Sequence, residues 1–208
     1  MTPTQTVSPR RQRTREKLLD GARAVIAESG VHGASVEEIC DRAGFTRGAF
    51  YSNFADKDEL VLALFADDRA ALLERLRAAL DEESDDLGTV LSRVVASMEV
   101  GDLRTWYLVR TEMTLHALRT PSVASALVRA RADFRTAVRD AVLEAARRTR
   151  HTPTLDVDLL VRAVEALHDG ATAQSLLEPR ALPAGSLLRE VLPRLLVSTD
   201  GKPRARNR

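Results

Sequence analysis

The chain has a single cysteine, Cys40, so it cannot close an internal disulfide. No Cys/His spacing suggests structural zinc, and a fold stapled by internal disulfides is excluded. No apolar run approaches the roughly 18 residues that a membrane helix needs, and no basic-then-apolar leader opens the sequence. A cytoplasmic protein with no membrane partner is expected. Lysine is nearly missing, with Lys17, Lys57 and Lys202 the only examples. So uniform a preference for arginine reads as codon bias, and arginine as such carries no weight. Aromatic residues make up only 4%, which raises the diagnostic weight of each. No Ser/His/Asp, Cys/His or metal-ligand set occurs at useful spacing, so neither catalysis, cofactor nor metal is expected. The net charge of +1 excludes a polycationic coat protein. It does not exclude a DNA binder, because what matters is where the basic residues sit.

What is present is an ordinary globular composition, 44% hydrophobic and 29% charged over 208 residues. No segment alternates with the period of two that a strand requires, and the reading is all-α with about nine helices. Leu18, Ala22, Val25 and Ile26 give one apolar face to a first helix from Thr14 to Ser29, ended by Gly30 and Gly33. Asp56 and Glu59, at capping-box spacing, open a long helix carrying Leu60, Leu64, Leu72, Leu76 and Leu80. An acidic break at Asp81–Asp86 follows. Further helices are expected over Leu87–Val100, Leu103–Arg119, Pro121–Arg150, Leu155–Leu177 and Ser186–Ser198, the last bent by Pro193. Residues 1–9 and 201–208 are unpatterned, the second stretch basic.

The most informative stretch is SVEEICDRAGFTRGAFYSNFADKDEL, residues 35–60. Ser35 and Glu38 form a capping box that starts a helix at Val36, with Val36, Ile39, Cys40 and Ala43 facing inward. Gly44 can take the left-handed conformation that stops it. Thr46 is the next N-cap, and a second helix from Arg47 to Asn53 buries Phe50 and Phe54, four residues apart. Thr46, Arg47, Gly48, Tyr51 and Asn53 then lie on or near the opposite, polar side. This is the layout of a helix-turn-helix that reads DNA.

These residues, from Gly30 to Leu60, resemble the N-terminal domain of the TetR family of bacterial transcriptional regulators. The resemblance implies a helix-turn-helix domain over residues 10–56 and a helical ligand-binding and dimerisation domain over 57–200, between an unstructured arm at 1–9 and a basic tail at 201–208. It implies a homodimer bound to a double-stranded DNA operator and released by a small-molecule inducer. A helical small-molecule binding protein without sequence-specific DNA binding is the alternative.

Arg47 can reach a guanine edge or clasp a phosphate. Gly48 lowers helix stability by about 1 kcal/mol relative to alanine, which suggests close approach of another molecule. The tyrosine matching Tyr51 contacts phosphate in the family, and Asn53 stands where the family often has histidine. Lys57 opposes the helix dipole in its first turn, a cost a phosphate would offset. Ser35 and Thr46 can cap, bond phosphate, or both. Arg10, Arg11, Arg13 and Arg15 belong either to a solvated tail or to an arm along the DNA, with Arg13 and Arg15 the candidates for contact. Cys40 reads as core.

For the ligand, the resemblance points to the middle helices, where Met98, Trp106, Tyr107, Arg110, Met113, His116, Phe134 and His168 are candidates. Each also reads as core, the histidines above all. For the dimer seam, Leu159, Ala163, Leu167, Gly170 and Gln174 share a stripe, and the last helix offers Leu188, Leu192 and Leu195.

Overall fold

The computed structural model describes residues 8–82, 84, 86–150, 153 and 155–196. All regular structure among them is helical: α1 (Pro9–Gly33), α2 (Val36–Ala43), α3 (Arg47–Tyr51), α4 (Lys57–Asp81), α5 (Leu87–Met98), α6 (Leu103–Arg119), α7 (Pro121–Thr149), α8 (Val157–Leu177) and α9 (Ser186–Leu196). The basic tail at 201–208 and residues 1–7 of the arm lie outside the described residues. No helix among these is long and apolar enough to cross a membrane.

The first helix begins at Pro9 rather than Thr14. Ser8 is its N-cap, accepting the Arg11 amide at 3.3 Å, and proline fits the first helical position because its missing N–H would have had no partner there. The far end also differs from a stop at Ser29. Gly30 alone leaves the helix, at φ 73° and ψ 168°, and one further turn follows. Glu112 from α6 caps this kink, its Oε2 accepting the Val31 amide at 3.3 Å. Lys57 closes the turn by donating its Nζ to the carbonyls of Val31 (2.8 Å) and Ala34 (2.9 Å).

Two compact units divide the chain. One comprises the chain up to Ala70 together with Asp102–Arg131, the other Ala71–Gly101 together with the chain from Ala132. The first unit is built around α1, whose Leu18, Ala22, Val25 and Ile26 are covered by Ile39 and Cys40 of α2, by Phe50 and Phe54, and by Leu60 and Leu64 of α4. From α6, Val109, Met113 and Ala117 complete the same core. The unit that holds residues 10–56 therefore also takes in α6, because a three-helix head leaves one side of α1 without apolar cover. At its edge Arg23 bonds Asp20 (2.8 Å) and Asp68 (2.7 Å), and burial pushes the Asp68 carboxyl up despite the arginine.

In the second unit Leu91 and Val95 of α5, Ala171 of α8, and Leu188 and Leu192 of α9 form one cluster, while Leu80, Val90 and Ala145 form another. Ion pairs tie its elements together, among them Arg93 with Glu82 (2.8 Å) and Arg189 with Glu99 (3.3 Å).

Two predictions follow from the helix ends of the first unit. A Cβ on Gly30 would lie 2.6 Å from Glu112 Oε2 at a positive φ. Gly30→Ala should therefore lower stability by about 1–2 kcal/mol from the backbone alone, read as an earlier urea midpoint. An unchanged midpoint would show that the kink is dispensable. The Glu38 carboxyl is held below its ordinary range by the Ser35 amide first and the Ser35 hydroxyl second. A depressed folded value means that this stabilisation is present above the unfolded pKa of about 4.3 and is lost as pH falls through the folded one. In Ser35→Ala, which removes the hydroxyl but keeps the amide, the NMR-detected titration of Glu38 should move up part of the way toward the unfolded value. An unmoved titration would reject the hydroxyl's share in holding it down.

Candidate nucleic-acid interface

The helix-turn-helix is assembled from caps. Ser35 accepts the Glu38 amide at 3.1 Å while Glu38 Oε2 accepts the Ser35 amide at 2.9 Å, so α2 starts at Val36. Gly44, at φ 73° and ψ 34°, ends it in the left-handed conformation, and the Phe45 amide returns to the Cys40 carbonyl at 2.9 Å. Thr46 Oγ1 then accepts the Ala49 amide at 3.3 Å and opens α3. This second helix is shorter than the expected run to Asn53, ending at Tyr51 with Ser52 as its C-cap.

Phe50 and Phe54 are 0% and 1% exposed, with ring centroids 5.7 Å apart. The side opposite is open: Thr46, Arg47, Gly48 and Tyr51 are all exposed, Tyr51 by 51%. Arg47 pairs with Glu37 of α2, and its guanidinium carbon lies 5.9 Å from the Tyr51 ring centroid. Glu37 is the second residue of α2, in its first turn, and its pairing with Arg47 joins the two helices of the motif. A Cβ on Gly48 would meet only Thr46 Oγ1, at 3.7 Å, so nothing inside the fold demands a glycine there.

Three of the expected contacts are placed differently. Asn53 is buried rather than on the polar side, its Nδ2 donating to the Ala49 carbonyl (2.8 Å) and Ser52 Oγ (3.2 Å). The chain turns after Tyr51, so helical periodicity no longer sets its direction. Lys57 is half-buried, and the carbonyls at the end of α1 offset the dipole cost that a phosphate was expected to offset. Arg15 lies 4.4 Å over the Phe54 ring and donates to the Asn53 carbonyl at 3.3 Å, whereas Arg13 is exposed on α1. Arg11, of the same basic run, donates to the Ser52 carbonyl at 3.0 Å. Cys40 is buried, and burial first, then the charges of Asp41 and Glu37, push its thiol up, which disfavours a reactive thiolate.

The ligand candidates are distributed over both units. Trp106, Tyr107, Arg110, Met113 and His116 belong to the first, and Met98, Phe134 and His168 to the second. Met113 is corrected to core, 2% exposed beneath α1. Arg110 is buried with its guanidinium 4.7 Å from the Trp106 ring, and His116 Nε2 lies 2.8 Å from Asp58 Oδ1 of α4, a structural pairing. His168 is buried with Nδ1 4.0 Å from Asp169, and Met98 packs against the Leu91 cluster. None of the eight lines the groove of about 470 Å³ between α4 and α7 in the second unit, or that of about 520 Å³ between α1 and α6 in the first.

The seam candidates divide as well. Leu188 and Leu192 are corrected to core, at 1% and 3% exposed, because α9 turns that face onto α5 and α8 of its own chain. Leu195 is half-buried. On α8, Leu160, Val161, His168 and Ala171 are buried, while Leu159, Gly170 and Gln174 are exposed and Ala163 and Leu167 half-buried. Leu177, 81% exposed, extends the open stripe.

Residues 18–64 match the family model described as bacterial regulatory proteins, tetR family. The chain is 30% identical over 160 residues to the HTH-type transcriptional repressor AcnR of Corynebacterium diphtheriae, covering 75% of this chain and 77% of that one. Its fold is similar to that of a TetR-family transcriptional regulator from Rhodococcus sp., with a TM-score of 0.72 at 20% identity over 89% of this chain and 100% of the other. It is also similar to the transcriptional regulator FadR of Bacillus subtilis in complex with stearoyl-CoA, at a TM-score of 0.70 and 20% identity over 87% and 97% of the two chains. With these likenesses centred on a helix-turn-helix whose polar flank is open, the chain belongs to the TetR family of bacterial transcriptional regulators.

Proposed function

We propose that this regulator is a ligand-responsive repressor, a homodimer that binds a palindromic operator through paired α3 helices and is released by a small-molecule inducer. The observation that carries the reading is the two-sidedness of α3. Phe50 fixes it from behind with Phe54, while Thr46, Arg47, Gly48 and Tyr51 face outward. Arg47 and Tyr51 are assigned to base edges or phosphates, Gly48 to close approach of the DNA backbone, and Arg13 to phosphate. Ser35, Thr46, Asn53 and Lys57 serve first to shape the motif. The sense of regulation is supported by the relative AcnR, a transcriptional repressor, and a role for a ligand by the FadR structure with stearoyl-CoA.

Two-fold pairing is supported by α8. Leu159, Ala163, Ala166, Gly170, Ala173 and Leu177 recur at alternating spacings of four and three on a stripe that is exposed or half-buried. That is a heptad seam with small residues at its centre, which lets a second copy approach closely. A dimer places two recognition helices in successive major grooves about 34 Å apart.

Arg47→Ala and Tyr51→Ala should each abolish the electrophoretic shift of DNA from upstream of the protein's own gene while leaving the thermal midpoint within a few degrees. Equal binding of wild type and variants to random DNA would defeat the assignment. Gly170→Glu should convert the dimer to a monomer in sedimentation and lower operator affinity by at least about tenfold, since one short helix reads too few base pairs. A dimer persisting in Gly170→Glu would move the seam elsewhere.

A further inference from the structure

We infer that Arg11 and Arg15 are positioning residues for the recognition helix, holding its exit from α1 rather than contacting DNA. This rests on α3 being the DNA-reading element. A helix of five residues leaves its last carbonyls without intrahelical partners, and those just beyond its end need donors from elsewhere. Arg11 Nη2 donates to the Ser52 carbonyl at 3.0 Å and Arg15 Nη1 to the Asn53 carbonyl at 3.3 Å. The Arg15 guanidinium carbon also lies 4.4 Å from the Phe54 ring centroid, so one side chain touches both the buried anchor and the backbone after α3. Two cations beyond a helix C-terminus are attracted by its dipole as well.

Arg11 and Arg15 are four residues apart and share one face of α1. Arg10, Arg13 and Lys17 recur at three and four on another row and are exposed. The basic segment thus has two jobs: one row orients α3, and the other faces solvent where a phosphate backbone can be met. Loss of the first should degrade sequence discrimination, and loss of the second should degrade the salt-dependent affinity common to all DNA.

The test compares the full-length wild type, Arg11→Ala/Arg15→Ala and Arg10→Ala/Arg13→Ala. Each is titrated with its own upstream DNA and a scrambled duplex of equal length from 50 to 200 mM salt. The first double variant should keep the wild-type salt slope and lose about tenfold in discrimination. The second should lose about 0.9 in slope per phosphate contact and keep its discrimination. A slope that falls in Arg11→Ala/Arg15→Ala with discrimination intact overturns the positioning role. Hydrogen exchange of the Ala49–Phe54 amides, measured without DNA, should be faster in that variant, and Arg11→Lys should restore part of the protection. Unchanged exchange overturns the clamp. If the wild type itself fails to discriminate, DNA reading is at fault, and the exchange measurement still decides the clamp.

Discussion

A helix of five residues closes too few hydrogen bonds to offset the cost of nucleating it, so α3 keeps its shape only through what holds it from outside. Burial of Phe50 and Phe54 supplies most of that hold, at roughly 2–3 kcal/mol for each fully buried phenylalanine. Everything the helix presents outward depends on this anchoring. With the two rings inside, Arg47 and Tyr51 have no direction left but solvent, and the polar flank becomes a surface of fixed shape. Thr46 at one end and the two α1 arginines at the other satisfy backbone groups that a single turn cannot.

Polar contacts then attach this head to the rest of its unit. The kink at Gly30 leaves an amide that Glu112 accepts and carbonyls that Lys57 takes, so α1, α4 and α6 meet at one small set of charged hydrogen bonds. His116 adds a contact from α6 to Asp58, one residue beyond Lys57. Such bonds to charged groups are worth more than neutral ones, and they are directional, which an apolar core is not. Because Met113 and Val109 of α6 sit in the same core as Phe50, a shift of α6 would be felt by the DNA-reading head through both packing and polar bonds.

In the second unit, residue type and residue role separate. The leucines of α9 and those of α8 look alike in sequence, yet Leu188 and Leu192 close an internal cluster while Leu159 and Leu177 stay open. The open stripe has Ala163, Ala166, Gly170 and Ala173 between its leucines, while the internal face buries Leu160 and Val161. Small residues flanked by exposed leucines suit a partner helix better than they suit water, because exposed apolar side chains recurring on one helix face gain free energy on covering.

The sequence by itself determined what is local. The capping box at Ser35 and Glu38, the left-handed stop at Gly44, the cap at Thr46 and the periodicity of α1 and α4 are set by contacts within a few residues, and each was legible. The inward turn of Phe50 and Phe54 was legible too, since aromatics four apart on a short helix share a face. Only the tertiary structure decided where long side chains end. Arg15 over Phe54, Lys57 on the carbonyls of α1, Glu112 at the Gly30 kink and the inward face of α9 all join residues distant in sequence. A flexible charged side chain can reach many partners, and which one it meets depends on how helices pack, information that no local spacing carries.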